Sequence, residues 1–270
     1  MTEKPMAPVS AVVPCWRATS TIRRALSSIA AQTLKPAEVI LVDDASGDNT
    51  LRILHELASE HAPGWVRVLS LPLNQGPGGA RNAGWDHATQ PWIAFLDADD
   101  AWHPRKLEIQ FNWLREHPEV ALCAHATAVA DGSDSGTELP EVPEFRAGRI
   151  GFWQMLVSNR FPTRSVVLRR DLPFRFEGKH VTEDYLLWLQ VVLAGHACCR
   201  IEAPLAVSFR PDASPGGYSG ALWRHERREL AAWHTLYREG AISAPTWGAA
   251  TVWSCIKYLR RAGLAFINAR

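Results

Sequence analysis

The stretch WIAFLDADDAWHP, Trp92–Pro104, decides how this chain is read. Trp92–Leu96 is an unbroken apolar run, the length of a strand and too short for a helix, and the polarity then switches at once to Asp97-Ala98-Asp99-Asp100. A continuous apolar run bounded in this way marks a strand buried on both faces. Pro104 suits the first turn of a helix that the pattern carries to about Glu116. Working toward the N-terminus, the same unit recurs. Ser10–Pro14 (SAVVP) is a short strand, and Ser20–Gln32 carries Ile22, Ala25, Leu26 and Ile29 at i, i+3, i+4, i+7. Glu38–Asp43 (EVILVD) is a strand, followed by a helix capped at Asp48 that runs to about Glu60 with Leu51, Leu54 and Leu57 in its stripe. Val66–Leu71 is a third strand, and a glycine-rich turn leads into a helix over Gly79–Ala88. On the other side, Val120–Val129 is a fifth strand. Strands alternating with helices predict βαβ units, hence an α/β fold with a doubly wound, mostly parallel sheet.

Beyond that strand the alternation stops. Asp131–Glu144 and Pro211–Gly220 are rich in Gly, Pro and Ser and read as long loops, candidate lids. Between them the pattern predicts a helix near Ile150–Ser158, a strand at Ser165–Arg169, a helix from Glu183 to Ala194, and two short strands near Ala197–Ile201 and Ala206–Arg210. Two helices close the chain.

The 270 residues, 47% apolar and 21% charged, have the composition of an ordinary globular protein. Net charge is +1, from 29 basic and 28 acidic side chains, which argues against a nucleic-acid partner. The charge is uneven: Leu222–Arg270 holds eight Arg/Lys against three Asp/Glu, a local +5, and Trp is abundant at 12 residues. Five scattered cysteines without a CxxC pair predict reduced, buried thiols. The N-terminus has no apolar signal-peptide core, and the most apolar stretch, Thr246–Ile267, is interrupted by Lys257, Arg260 and Arg261, so a cytoplasmic location is expected.

Ligands bind outside the carboxyl ends of strands in an open parallel sheet, and there this sequence is acidic. Asp43 and Asp44 follow strand two, and Asp97, Asp99 and Asp100 follow strand four. Carboxylates converging on one edge are costly unless cations lie between them. Asp97-x-Asp99 is a hard-oxygen pair suited to Mn²⁺ or Mg²⁺ shared with phosphates, although Asp at such positions also serves turns and caps. Asp43-Asp44 suits a base N–H or a ribose hydroxyl, and equally a loop or cap. Asn74–Gly84 is neither GxGxxG nor a P-loop, yet Arg81 at a helix start can neutralise a diphosphate. Thr182-Glu183-Asp184-Tyr185 on its own reads as a helix start.

Taken in order, these motifs resemble the family-2 inverting glycosyltransferases of GT-A fold. The matching residues are the VVP of the first strand, VDDASGDNT (Val42–Thr50), NQGPGGARNAG (Asn74–Gly84), FLDADDAWHP (Phe95–Pro104), SVVLRRDL (Ser165–Leu172) and TEDYLLWLQVVLAG (Thr182–Gly195). The resemblance implies a nucleotide-sugar donor, UDP-linked by preference, bound by Pro14, Asp43, Asp44, Asn74, Arg81 and Asp97. It implies a divalent metal on Asp99 with Asp97, and Asp184 as general base supported by Glu183. It implies a catalytic domain over 1–215, with a donor half at about 9–130 and an acceptor half at about 145–215, followed by a basic helical extension at 216–270. Trp16-Arg17 replaces the family's usual Tyr-Asn, and Phe209-Arg210-Pro211-Asp212 replaces a Tyr-Arg pair followed by His. The QxxRW motif and long apolar helices of processive synthases are absent, which predicts transfer of a single sugar to a saccharide or lipid-linked acceptor in cell-surface polysaccharide or lipopolysaccharide synthesis. The rival readings are a sugar-nucleotide nucleotidyltransferase, disfavoured by the lack of glycine after strand one, and a relative that binds nucleotide sugar without turnover. The basic, Trp-rich tail predicts peripheral contact with an anionic inner-membrane face.

Overall fold

The computed structural model describes residues 5–130, 142, 145–177, 183–209 and 222–268. The two candidate lids, Asp131–Glu144 apart from Val142 and Pro211–Gly220, lie outside the described residues, as does the Glu183 side chain.

The first half follows the expected alternation except for the added β5: β1 (Ala7–Cys15), α1 (Ile22–Ala30), β2 (Pro36–Asp43), α2 (Thr50–Ser59), β3 (Val66–Ser70), α3 (Gly76–Asp86), β4 (Trp92–Phe95), β5 (Asp100–Trp102), α4 (Lys106–Glu116) and β6 (Val120–Val129). The second half adds β7 (Ala147–Arg149), α5 (Phe152–Val157), a single 3₁₀ turn (Thr163–Ser165), β8 (Val167–Arg169), α6 (Glu183–Leu193), β9 (Ala197–Ser208), α7 (Leu222–Arg238) and α8 (Ala244–Asn268). The strands form one sheet in the order β3-β2-β1-β4-β8-β6-β9-β5, with β7 on β9. The long pairings, β1 with β2 and β4, β2 with β3, and β6 with β9, are parallel. The three-residue strands β5, β7 and β8 pair antiparallel.

Two details depart from the sequence reading, and a third was left open by it. The Asp97–Asp100 run does not simply end strand four, because Asp100 opens β5, which pairs with the far end of β9. The two short strands predicted near 197–210 are one strand, β9; the register slips where Ala126 faces Pro204, so a bulge absorbs the residue that cannot donate to the ladder. And β8 inserts between β4 and β6, so those two strands are not neighbours.

Both faces of the sheet are covered, as unbroken apolar strands require. Val9, Ala11 and Val13 of β1 face a cluster built with Ile22, Leu26 and Leu54, while Val12 between them faces a second cluster with Ile40, Phe95 and Trp188. The second cluster also takes in Trp233 and Leu236 of α7 and Ala250 of α8. Helix α3 lies directly on β1 and β2 because Gly84 has no side chain: a Cβ there would sit 2.3 Å from Val12 Cγ1. Four of the five cysteines are buried and none is paired; Cys255 is exposed.

Candidate active site

The loops after β1, β2, β3 and β4 meet at one edge of the sheet and are tied together by the acidic residues. Asp43 Oδ1 accepts from the Ser46 hydroxyl at 2.5 Å, and Ser46 Oγ in turn accepts the Arg17 amide at 3.1 Å. Arg17 and Ala45 both hold left-handed backbone, φ 50° and 51°. Two non-glycine residues at positive φ cost of order 1–3 kcal/mol each and persist only where surrounding bonds hold them. Asp44 reaches across to the next loop: its two carboxylate oxygens accept the amides of Gln75 (2.7 Å) and Gly76 (2.8 Å), at the start of α3, while Asn74 Nδ2 donates to the Asp44 carbonyl (3.0 Å). Gly76 itself sits at φ 79°. The backbone turn that presents this amide therefore needs glycine. Pro14, half-buried, pairs with Val42 one residue before the end of β1, where Cys15 pairs with Asp43.

The second group is the Asp97–Asp100 turn. Arg81, buried on α3, donates to Asp97 Oδ1 at 2.6 Å. Burial pushes the Asp97 carboxyl up, but the charge and hydrogen bond of Arg81, with the charge of Arg164, outweigh it and leave the pKa below its usual value. Asp100 is buried and paired with Arg164 at 2.9 Å. There burial and the neighbouring Asp97 win over Arg164, and the pKa rises to about 7. Arg24 of α1 donates to the Asp99 carbonyl at 2.7 Å and lies 3.6 Å from the centre of the Phe209 ring.

The third group surrounds Asp184, on the first turn of α6. Its Oδ2 accepts from Asn159 (3.1 Å) and from the Thr163 hydroxyl (3.3 Å), and its Oδ1 from the Tyr185 amide (2.8 Å). The 3₁₀ turn thus joins two acidic centres, since Thr163 holds Asp184 and the next residue, Arg164, holds Asp100. The turn is anchored by Trp102, whose indole donates to the Arg164 carbonyl at 3.0 Å.

The acidic residues gather at one edge as the sequence implied, and the chain itself supplies partners to several of them. Asp43, Asp44, Asp97 and Asp100 are met by a hydroxyl, two amides and two arginines of the chain itself. Among the described residues no three His, Cys, Asp or Glu side chains gather into a metal cage. Asp97 and Asp99 instead fit a cation held jointly with a ligand's phosphates, the usual environment of Mg²⁺. Sequence reading missed Thr163, Arg164, Asn159 and Arg24. Arg164 lies one residue before the SVVLRRDL motif, and the only available signal was the need of a buried acidic run for a countercharge.

The sequence model of the family described as "Glycosyl transferase family 2" matches residues 10–172. The UDP-Glc:alpha-D-GlcNAc-diphosphoundecaprenol beta-1,3-glucosyltransferase WfgD of Escherichia coli is 31% identical over 186 residues, covering 68% of this chain and 69% of its own. The succinoglycan biosynthesis protein ExoO of Rhizobium meliloti (strain 1021) is 31% identical over 215 residues, 70% of this chain and 57% of its own. Across such curated relatives the chain spans between about half and seven tenths of their length. The solved structure of mannosyltransferase PcManGT from Pyrobaculum calidifontis, in complex with GDP-Man and Mn²⁺, superposes with a TM-score of 0.65 at 20% identity, over 97% of this chain and 79% of its own. At that identity the likeness establishes the GT-A fold and nothing finer.

Proposed function

The chain belongs to glycosyl transferase family 2, and from that premise we propose that it moves a single sugar from a UDP-sugar to a saccharide or lipid-linked acceptor, inverting the anomeric centre, with Mn²⁺ or Mg²⁺ bound. The observation that carries the proposal is the pairing of two acidic centres through one short turn: the Asp97–Asp100 run on the donor side, and Asp184 with its three hydrogen-bond donors on the other. The WfgD name, with its UDP-glucose donor and diphosphoundecaprenol acceptor, supports the choice of donor and acceptor class, and the ExoO name supports polysaccharide synthesis. The Mn²⁺ in PcManGT supports the metal.

In this reading Pro14, Asp43, Asp44 and Asn74 frame the nucleoside pocket. Arg81, aligned by Asp97, brings its positive charge to the diphosphate. Asp99 and Asp97 hold the cation, which when bound neutralises charge on the departing nucleoside diphosphate. Asn159, Thr163 and the Tyr185 amide donate to Asp184 and fix its direction, so that it accepts the acceptor hydroxyl's proton at Oδ1 or Oδ2. Glu183 supports it from the same turn. Attack from the Asp184 side, opposite the leaving group, inverts the configuration. No helix among the described residues is long and apolar enough to cross a membrane, and the proposal includes peripheral contact of the C-terminal helices with the inner membrane face.

A thermal-shift panel of UDP-, dTDP- and GDP-sugars, each in Mn²⁺, Mg²⁺ or EDTA, tests it. A donor at 100 times its Kd adds about 2.7 kcal/mol of stability, and the matching UDP-sugar is expected to do so only with metal. Pyrophosphate formed from a sugar 1-phosphate and a nucleoside triphosphate would replace this reading with the nucleotidyltransferase. Stabilisation without transfer to any acceptor would leave a binding protein.

A further inference from the structure

Helix α8 is turned inside out. An amphipathic helix on a globular protein ordinarily buries its apolar stripe and shows its charges to water. Here Lys257 bonds Glu229 and Arg261 bonds Glu226 (3.1 Å), both glutamates being buried on α7, and Ser254 and Ala250 complete the inward face. The apolar residues at Val252, Ile256 and Leu259 point away from the protein, exposed by 60%, 50% and 66%. At ~100° per residue they form one stripe with Ala249, and Trp253 and Arg260 lie together on its flank. Trp223 of α7, also exposed, packs edge-on against Tyr258 on the opposite side of α8, one turn from the exposed Arg227.

We infer that this outward face of α7–α8 is a docking surface for an anionic lipid bilayer. The charges choose the occupant. Two of the three acidic residues of the tail, Glu226 and Glu229, are consumed by inward pairs, so that among the described residues the exposed charge is Arg227, Arg238 and Arg260 against Glu239 alone. Exposed Trp beside Arg, around an aliphatic stripe, matches the headgroup region, where the ring spans the apolar boundary and the guanidinium meets phosphate. Lys257 and Arg261, which a helical wheel alone assigns to the polar face, are committed to the fold and make no lipid contact. The inference deepens the transferase reading, on which its relevance to a lipid-linked acceptor rests.

The test is co-sedimentation of the full chain with vesicles of phosphatidylcholine alone and of phosphatidylcholine with equimolar phosphatidylglycerol, with protection by UDP-sugar and metal followed in parallel. Binding is expected to the mixed vesicles only and to weaken as salt rises. The double variant Ile256→Glu/Leu259→Glu, at exposed positions where folding is checked by circular dichroism, loses it. Arg227→Ala/Arg260→Ala lowers the partition roughly 25-fold, at about fivefold per basic residue near an anionic surface. Both variants keep donor protection. Failure of the wild-type chain to sediment with mixed vesicles overturns the inference, as does undiminished binding of Ile256→Glu/Leu259→Glu. A dimer in light scattering that this variant converts to monomer, without vesicle binding by either, assigns the face to a second copy and also overturns it. Sedimentation without protection by any donor would retire the transferase reading and leave the lipid surface standing.

Discussion

Replacing Arg164 with Met tests how the acidic edge is held together. Asp100 is buried beside Asp97, with Arg164 at 2.9 Å as its cation, and its pKa stands at about 7 against an ordinary 3.8. That shift is worth roughly 4 kcal/mol at 1.36 per unit. Its sign is fixed: between pH 3.8 and about 7 the folded protein keeps a proton on Asp100 that the unfolded chain releases, so stability falls across that window and levels off above it. Arg164→Met removes a charge that holds this pKa down, so the window extends above 7. At about pH 8 the change strands a buried carboxylate and costs about 3–5 kcal/mol, a loss that proton uptake caps. At about pH 5.5 Asp100 is already protonated, and the change costs only a hydrogen bond, about 1 kcal/mol. Urea denaturation of both proteins at the two pH values reads the difference directly. Adding Asp100→Asn, which cannot ionise, should recover most of the loss at the higher pH. Equal destabilisation at both pH values, or no recovery with Asp100→Asn, would refute the account of the Arg164 pair.

Three further outcomes are expected. Asp99→Asn abolishes metal-dependent stabilisation by a UDP-sugar in the thermal-shift assay; full activity in EDTA would remove the metal from the reading. Asp184→Asn leaves donor binding intact and lowers turnover roughly 10²–10⁴-fold; normal turnover there, together with loss in Glu183→Gln, would reassign the base. Gly84→Ala forces a Cβ to 2.3 Å from Val12 and 3.2 Å from Val42. Overpacking of about 1–3 kcal/mol then exceeds the gain of up to about 1 kcal/mol in helix propensity, and the melting temperature falls; an unchanged value would mean that α3 can shift.

Apart from the short β5, the order of strands and helices through α4 was legible because periodicity is a local signal: each element announces itself within its own ten or so residues, as Ile22, Ala25, Leu26 and Ile29 do for α1. The candidate site was legible to the same extent. Asp43, Asp44, Asp97 and Asp99 follow strands, and strand ends in a parallel sheet share an edge. Their partners were not legible, because nothing local to Arg164 says that it lies against Asp100, 64 residues away.

By itself, then, the sequence determined the alternation, the parallel sheet it builds, and the acidic residues that gather at its carboxyl edge. Tertiary structure alone decided three things. It set β8 between β4 and β6, which brings the Thr163–Ser165 turn to both acidic centres. It buried Lys106, a residue type that sequence reading leaves in water, where Gln110 and the Trp102 ring receive the ammonium and burial drives its pKa down to about 7. It also chose which face of α8 turns inward. A helical wheel separates the apolar from the charged side, but Glu226 and Glu229, on another helix, make the charged side the one that packs. Complementary charge brought from elsewhere in the chain outweighed the usual preference for burying the apolar stripe.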